Sequence, residues 1–229
     1  MSAAAVQRGR GAVIIGSGGH GRGLLETLRR ARSEEAVLGF VDDDPARVGT
    51  RVAGLPVLGT SEWLRAHRDR VESFYFGLGT PRQRWDAARR LAELDLRTPP
   101  LVHPRAVVHG DVELGPGAFV GAGAVIAHAT RIGARVLINL NATIGHDVHV
   151  GAEASVGPGA NLGGGVQIGE GAFVGMNATI PPGMEIGAWS EAAAGSVVLR
   201  AVRPGRRVLG NPARDLGPVD GHEEAGGDR

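Results

Sequence analysis

Residues 144–179 read IGHDVH VGAEAS VGPGAN LGGGVQ IGEGAF VGMNAT, and every block of six begins with an aliphatic residue. The phase extends in both directions from this stretch. With the exception of one alanine, it places Val, Ile or Leu at Leu114, Val120, Ile126, Ile132, Ile138, Ile144, Val150, Val156, Leu162, Ile168, Val174, Ile180, Ile186, Ala192 and Val198. A pattern that stays in phase over about 100 residues is an internal repeat.

The residues between the aliphatic positions are also biased. Glycine follows the aliphatic residue in most repeats, and alanine often stands at the fourth position after it. A helix would need a period of 3.6 and a half-buried strand a period of 2, so six indicates short straight segments joined by corners. Three segments would close a triangular coil of about 18 residues, with inward aliphatic side chains and with glycine supplying backbone freedom at the corners. A flexible glycine-rich linker would not keep branched aliphatic residues in phase.

Composition excludes several classes of function. The 229 residues carry 25 basic and 24 acidic side chains, so no strong field draws the chain to nucleic acid or to anionic lipid. Lysine is absent, which excludes a Schiff-base or P-loop lysine, and cysteine is absent, which excludes disulfides and cysteine-bound zinc. No signal peptide or apolar run of membrane-spanning length is visible, so we expect a cytoplasmic protein without membrane insertion.

The residues before the repeat predict an α/β domain. A buried strand at 12–15 is followed by a helix at about 22–32, a strand at 37–41, an apolar run at 74–76 and a helix at about 83–93. Gly16, Gly18 and Gly21 match G-x-G-x-x-G between a strand and a helix, and Asp42 stands where a ribose-binding acid is expected. This motif is typical of NAD-dependent oxidoreductases. However, the domain is long enough for only half of a dinucleotide fold, which favours a mononucleotide or a nucleotide sugar.

The repeat resembles that of the left-handed β-helix acyltransferases, over about residues 101–216 and including the ending Gly-Asn-Pro-Ala-Arg at 210–214. Together with the Gly-x-Gly-Gly-His-Gly of the front domain, it resembles one subfamily. That subfamily contains UDP-4-amino-sugar (bacillosamine) and GDP-perosamine N-acetyltransferases and sialic acid O-acetyltransferases. The resemblance implies a Rossmann-like nucleotide-sugar-binding domain at 11–100 and a left-handed β-helix at 101–216. A flexible N-terminus at 1–10 and a disordered tail at 217–229 are also expected.

Acetyl transfer to a sugar amine needs a proton acceptor, and histidine is the natural one near neutral pH. His146 stands two residues after the inward Ile144, where a corner would project it outward, and Asp147 follows it directly. A corner conformation is needed for the two side chains to meet. The stretch at 138–147 resembles the catalytic stretch of the family. The resemblance implies that His146 is the general base, that Asp147 orients it and that Asn139 contacts the sugar. His128, 18 residues earlier, is expected to line the same cleft.

The resemblance also implies a co-substrate, acetyl-CoA, and no required metal. It places acetyl-CoA in a groove between coils of two subunits, against Ser155, Gly164, Met176, Ala194 and Gly195. The backbone N–H of Gly164 is the expected oxyanion donor, and Ser155 replaces a histidine that is common in the family. In the front domain the positions expected at the nucleotide are Gly16, Gly18, His20, Gly21, Asp42, Asp43, Thr80 and Arg82.

We therefore predict an acetyl-CoA-dependent N-acetyltransferase that acts on a nucleotide-linked amino sugar and assembles as a homotrimer. The alternatives are O-acetylation of a sialic-acid-like sugar, a zinc-dependent γ-type carbonic anhydrase, a non-catalytic sugar-binding scaffold and an NAD oxidoreductase. Neither the nucleotide base nor the sugar is determined by the sequence.

Overall fold

The computed structural model describes residues 10–32 and 34–219, which divide into two compact units. The first unit ends at Pro104 and the second begins at Arg105, whereas the sequence interpretation placed the boundary after residue 100. No helix of the described residues is long and apolar enough to cross a membrane.

The first unit is built on a five-stranded sheet with the order β3-β4-β2-β1-β5. Its strands pair in parallel, except that β3 and β4 form an antiparallel hairpin. The elements are β1 Gly11–Ile15, α1 Gly19–Ala31, β2 Val37–Val41, β3 Arg51–Val52, β4 Leu55–Gly59, α2 Ser61–Ala66, β5 Val71–Phe76, α3 Pro81–Leu91 and β6 Leu101–Val102, with 3₁₀ turns at Pro45–Arg47, Arg68–Arg70 and Ala92–Leu94.

Local sequence explains where these elements begin and end. β1 is buried along its whole length, as its run of apolar residues predicts. α1 begins at Gly19, three residues before the predicted start. The glycine-rich segment after β1 is therefore shorter than predicted, and its last glycines belong to the first turn of the helix. α3 begins at Pro81 behind a capping box formed by Thr80 and Gln83, and ends two residues before the predicted end. The hairpin β3–β4 and the helix α2 were not predicted.

The second unit is a parallel β-helix whose straight segments are strands of two residues. A first face contains β7, β10, β13, β16 and β19, a second contains β8, β11, β14, β17 and β20, and a third contains β9, β12, β15, β18, β21 and β22. Their bounds are β7 Val107–Val108, β8 Glu113–Leu114, β9 Phe119–Val120, β10 Val125–Ile126, β11 Arg131–Ile132, β12 Leu137–Ile138, β13 Thr143–Ile144, β14 His149–Val150, β15 Ser155–Val156, β16 Asn161–Leu162, β17 Gln167–Ile168, β18 Phe173–Val174, β19 Thr179–Ile180, β20 Glu185–Ile186, β21 Glu191–Ala192 and β22 Arg206–Gly210.

The six-residue phase places the core as predicted. Each two-residue strand of the β-helix ends on the repeated aliphatic position, and from Val120 to Val198 every one of these side chains is buried. The small residues two positions before them are also buried, among them Ala118, Ala124, Ala142 and Ala154. One column of apolar side chains therefore runs through the stacked coils.

The predicted reason for the repeated glycines was wrong. Glycines that directly follow the aliphatic residue, such as Gly133 and Gly151, do not have a positive φ. A Cβ at Gly133 would lie 2.7 Å from the backbone nitrogen of Ala152 in the next coil, so these positions need glycine because coils stack closely. The left-handed corner conformation falls two residues later, where non-glycine residues such as Asn141 and Asp147 also adopt it.

The tail was predicted to be disordered from residue 217, but its first residues are ordered. β22 forms an antiparallel hairpin with β23, Ala213–Pro218, which therefore includes Gly217. The N–H of Val219 then donates to the carbonyl oxygen of Gly205 at 2.8 Å. Backbone pairing orders this segment although its composition is polar. The rest of the predicted tail, residues 220–229, and residues 1–9 of the predicted flexible N-terminus lie outside the described residues.

Candidate active site

The corner between β13 and β14 carries the predicted catalytic pair. Nδ1 of His146 lies 2.7 Å from Oδ2 of Asp147, and both side chains are exposed. Asp147 has a φ of +56°, and this left-handed conformation turns two successive side chains toward each other. The contact assigns the proton of a neutral imidazole to Nδ1 and leaves the lone pair of Nε2 available for a substrate proton.

Backbone hydrogen bonds to the neighbouring coils hold this corner. The N–H of Asp147 donates to the carbonyl oxygen of His128 at 3.1 Å, and the carbonyl oxygen of His146 accepts from Gly165 at 2.8 Å. The imidazole rings of His128 and His146 stack with centroids 5.4 Å apart and planes 11° apart. His109 continues the stack, 6.0 Å from His128. His128 therefore lies on the same edge as His146, as its spacing predicts.

Gly164 occupies the same edge one coil further on and contacts the ring of His146. A Cβ at position 164 would lie 2.5 Å from Nε2 of His146, so only glycine leaves the imidazole in this place. The carbonyl oxygen of Gly164 accepts from Gly183 at 2.9 Å, while its N–H donates to no group of the described residues. The residue next to Nε2 of His146 thus has a backbone donor that no group of the described residues uses.

The other residues predicted to bind acetyl-CoA or sugar lie on a different edge or face. Met176, Ala194 and Gly195 share the corner that follows the third face, where the N–H of Gly195 donates to the carbonyl oxygen of Met176 at 2.8 Å. Asn139 lies at the same corner, and its Oδ1 accepts from the N–H of Leu140 at 2.8 Å. Ser155 is buried at the start of β15 on the third face. Within one chain the predicted site is therefore divided between two edges of the coil.

The glycine turn after β1 opens a cleft of about 570 Å³ in the first unit. Gly16 has a φ of +95°, and a Cβ at Gly21 would lie 2.1 Å from the carbonyl oxygen of Gly16, so both positions require glycine. Gly18 lines the cleft and a Cβ there would meet no atom within 4 Å. The turn and the first N–H groups of α1 form the arrangement that binds phosphate in nucleotide-binding folds.

Asp42 and Asp43 both line this cleft but have different partners. Partial burial opposes ionisation of Asp42, yet hydrogen bonds from the hydroxyl and N–H of Ser17 and from the N–H of Asp44, with the charge of Arg47, lower its pKa. Asp42 therefore stays ionised at the edge of the cleft. The carboxylate of Asp43 accepts from the N–H and hydroxyl of Ser61 at the start of α2 and from Arg90 at 2.7 Å, so it also fixes the surrounding elements.

His20 lies in the first turn of α1 and lines the same cleft. Burial and the charge of Arg84, whose side chain is 2% exposed, lower the pKa of His20 to about 4. The imidazole is therefore neutral at physiological pH and can donate one N–H to an oxygen in the cleft.

This depressed pKa predicts an acid-dependent loss of stability. The unfolded chain binds a proton at His20 near pH 6.5, whereas the folded chain does so only near pH 4, so stability present above pH 6.5 is lost as the pH falls toward 4. Between pH 7 and pH 5 we expect this residue to remove about 2 kcal/mol from the free energy of unfolding. Urea unfolding at both pH values should show a smaller change in His20→Gln. An equal change in both proteins would contradict a neutral His20.

Thr80 and Arg82, which were predicted to contact the nucleotide, are not among the residues that line the cleft. The hydroxyl of Thr80 accepts the N–H of Gln83 in the capping box of α3. The guanidinium of Arg82 lies 4.6 Å from the ring of Trp85 and 3.6 Å from the carboxylate of Asp86. Both therefore contact other residues of α3: Thr80 satisfies a backbone N–H of its first turn, and Arg82 contacts two side chains further along the helix.

The cleft contains side chains that the sequence interpretation missed. They are Asp44, Arg47, Gln83, Asp86 and Arg90. The last three are spaced by three and four residues on α3, and this helical spacing was a signal that could have placed them on one face. Arg47 lies in a 3₁₀ turn without a comparable pattern, and its NH1 donates to the hydroxyl of Ser17 at 3.1 Å.

Comparison with known proteins agrees with both units. The PglD N-terminal domain matches residues 12–91, and the hexapeptide repeat of succinyl-transferase matches residues 141–180 and 165–200. A search of curated proteins gives no significant match. In the described part of the chain, no three His, Asp or Glu side chains are grouped as a metal site requires.

Several solved structures match this chain over nearly its whole length. PerB from Caulobacter crescentus, in complex with CoA and GDP-perosamine, is 37% identical with a TM-score of 0.84, and the match covers 90% of this chain and 97% of that one. Variants of the same perosamine N-acetyltransferase, with one histidine replaced by asparagine or alanine, match at 36% identity and a TM-score of 0.85 over the same shares. The acetyltransferase domain of PglB from Neisseria gonorrhoeae, in complex with acetyl coenzyme A, is 31% identical with a TM-score of 0.82, covering 91% of this chain and 100% of that one.

Fold, repeat and these matches define an acyltransferase built on a left-handed β-helix. The chain belongs to the hexapeptide-repeat acyltransferases, in the subfamily that joins a PglD-type N-terminal domain to the β-helix.

Proposed function

We propose that this protein transfers the acetyl group of acetyl-CoA to the amino group of a nucleotide-linked amino sugar. The observation that carries the proposal is the 2.7 Å contact between His146 and Asp147, with Gly164 next to the other ring nitrogen. The complexes of PerB with CoA and GDP-perosamine and of PglB with acetyl coenzyme A support the same reaction class.

In this proposal the reaction is a direct displacement at the thioester. The amine nitrogen forms a bond to the acetyl carbon while Nε2 of His146 accepts a proton from the amine. The N–H of Gly164 donates to the oxygen of the tetrahedral intermediate, where negative charge develops. The bond to sulfur then breaks, and the sulfur leaves as the thiol of CoA once it has taken up a proton. The carboxylate of Asp147 stabilises the imidazolium that forms between these steps.

The cleft of the first unit is the proposed site for the nucleotide diphosphate. Phosphate oxygens would accept hydrogen bonds from the turn at Gly16–Gly19 and from neutral His20, while Asp42 is placed for a ribose hydroxyl. Arg47 and Arg90 supply positive charge at the rim of the same cleft.

A side chain at Gly18 should test this assignment. Gly18 has a φ of −73° and open space around a Cβ, so Gly18→Val should fold while filling the cleft. We expect KM for the nucleotide sugar to rise by about tenfold or more, with unchanged affinity for acetyl-CoA. Gly23→Val is the matched control, because Gly23 is exposed on α1, has the same open space and does not line the cleft. An equal KM in both variants would contradict a nucleotide site in this cleft.

We also propose a homotrimer, in which acetyl-CoA binds between subunits, and a cytoplasmic location. The division of the predicted site between two edges of one chain supports this assembly, because a neighbouring copy could bring the second edge to the first. The groove would then place Met176, Ala194 and Gly195 against acetyl-CoA, with Ser155 near its acyl end and Asn139 near the sugar. Light scattering should give three times the chain mass of 23.6 kDa. An active monomer would contradict the shared site.

Activity itself is tested by release of the CoA thiol. A thermal-shift screen of uridine-, guanosine- and thymidine-diphosphate amino sugars, with acetyl-CoA present, would first identify the ligand that stabilises the protein. The stabilising sugar should then release thiol in proportion to acetylated product, whereas its analogue with hydroxyl in place of the amine should not. Turnover of the hydroxyl analogue instead would favour the O-acetyltransferase alternative, and stabilisation without thiol release would favour a binding protein.

A further inference from the structure

A buried hydroxyl lies directly beneath the corner that carries His146. The side chain of Thr130 is fully buried in the β-helix, where it occupies the small inward position two residues before Ile132. Its Oγ1 donates to the carbonyl oxygen of Gly145 at 2.9 Å and accepts from the N–H of Val148 at 3.3 Å. Gly145 and Val148 are the two residues that flank the His146–Asp147 pair in the chain.

At most other corners the turn is held by a hydrogen bond between two backbone groups, without a side chain. The N–H of the inward small residue usually donates to the carbonyl oxygen three residues earlier, as in Ala154 to Gly151 at 3.3 Å and Ala172 to Gly169 at 3.2 Å. The equivalent pair at the catalytic corner is Val148 and Gly145, and in the described residues no direct bond joins them. The same bond is absent there between Val136 and Gly133 and between Val166 and Gly163, where the inward residue is again valine. The hydroxyl of Thr130 stands between these two groups and bonds to both.

We propose that Thr130 is a positioning residue for the catalytic pair, an inference that rests on the proposed acetyl transfer. Its hydroxyl links the carbonyl oxygen of Gly145 to the N–H of Val148, a bridge that the described valine corners at 136 and 166 do not have, and so holds the direction in which His146 and Asp147 leave the backbone. The coil before the catalytic corner also binds the turn through the carbonyl oxygen of His128, which accepts from the N–H of Asp147 at 3.1 Å. Two adjacent contacts from one coil therefore fix the corner whose geometry the reaction needs.

The fold itself does not demand a hydroxyl at this position. Equivalent inward positions hold alanine at 118, 124, 142 and 154 and valine at 136, 148 and 166, all of them buried. Both Thr130→Val, which keeps the shape, and Thr130→Ala are therefore compatible with the packing of the coil. Threonine instead supplies a donor and an acceptor that valine and alanine lack.

The experiment compares four variants in steady-state acetyl transfer by the full chain. Thr130→Val should lower kcat by about tenfold to a hundredfold with KM for acetyl-CoA nearly unchanged, because misplacement of the base affects the transition state most. Thr130→Ala should behave similarly, and Thr130→Ser should recover kcat to within about threefold because it restores the hydroxyl. Ser190→Ala is the matched control, since the buried hydroxyl of Ser190 donates to the carbonyl oxygen of Gly187 at another corner.

A double-mutant cycle separates positioning from general stability. In the Asp147→Asn background, Thr130→Val should cost much less than it does alone, because both changes disturb the same His146 imidazole. The proposal is overturned if Thr130→Val keeps kcat within twofold of the active wild type, if Ser190→Ala causes the same loss, or if the two losses multiply without coupling. An inactive wild type would instead refute the proposed function, which the thiol assay detects before any variant is compared.

Discussion

His146→Ala is expected to lower kcat by about 10²–10⁴-fold while the affinity for acetyl-CoA changes little. The reason is that Nδ1 of His146 is engaged by Asp147, so Nε2 alone faces the proton that the sugar amine must lose. The position is exposed at a corner and contributes nothing to the apolar column, so the variant should fold like the wild type. Thiol-release kinetics with an independent measurement of acetyl-CoA binding would separate the two effects.

Two neighbouring residues serve as controls for this loss. Asp147→Asn should cost less, because the imidazole remains but loses the charge that orients it and stabilises its cation. His128→Ala removes the ring stacked on His146 without removing the base, so we expect a smaller loss there as well. If His128→Ala abolished turnover while His146→Ala did not, the base would lie one coil earlier. A loss confined to KM would make His146 a binding residue.

The pH dependence provides a second readout of the same assignment. A base must be unprotonated, so kcat/KM of the wild type should rise with pH on its acid side and flatten in His146→Ala. The sugar amine must also lose a proton before it attacks, so the substrate contributes to the same rise. If kcat/KM rose with pH in the same way in His146→Ala, the rise would come from deprotonation of the substrate alone.

The β-helix could be predicted from sequence because its constraint is periodic. A large inward aliphatic side chain is needed once in every six residues, and from Val120 to Val198 each of these positions is buried. The position of His146 followed from the same count, since two residues after Ile144 is a corner. Handedness could not be derived in this way, because parallel crossovers are otherwise right-handed and the period alone contains no chirality.

Contacts between coils could not be predicted. The glycines after the aliphatic residues were expected to supply freedom at corners, whereas positions such as Gly133 are restricted by the backbone of the next coil. The backbone that restricts Gly133 belongs to the next coil. The sequence of one coil therefore cannot show whether glycine is needed for a positive φ or for close stacking. The role of Thr130 was missed for the same cause, since its hydroxyl acts on residues 15 and 18 positions away.

Only some of the residues that line the cleft after β1 could be predicted from the sequence. The glycines and Asp42 were identified because the turn after β1 is local in sequence and has a known chemistry. Arg47 and Arg90 reach the cleft only because the sheet and α3 are folded around it, whereas Thr80, which was expected there, does not line it and caps α3 with its hydroxyl. Residues that act through their own element can be identified by local pattern, whereas those that converge from separate elements need the tertiary structure.

Gly164→Ala is expected to have the second largest effect, with a loss of about tenfold to a thousandfold in kcat and little change in thermal stability. A Cβ at this position would lie 2.5 Å from Nε2 and 2.6 Å from Cε1 of His146. The group that must move is the end of an exposed side chain rather than backbone, so the fold tolerates the change. That end is the proposed base, however, and displacing it removes the nitrogen from the path of the substrate proton.

This substitution also distinguishes two roles of Gly164, because alanine retains the backbone N–H proposed to stabilise the oxyanion. If that donor were the only contribution of the residue, Gly164→Ala should retain nearly full activity. Gly110→Ala is the control, since a Cβ there meets no atom within 4 Å and its φ is not positive, so stability and kcat should both be preserved. A large kcat loss in Gly164→Ala with a melting temperature close to that of Gly110→Ala would show that glycine is needed here to leave space for His146. Equal activity of the two variants would contradict the position of the imidazole.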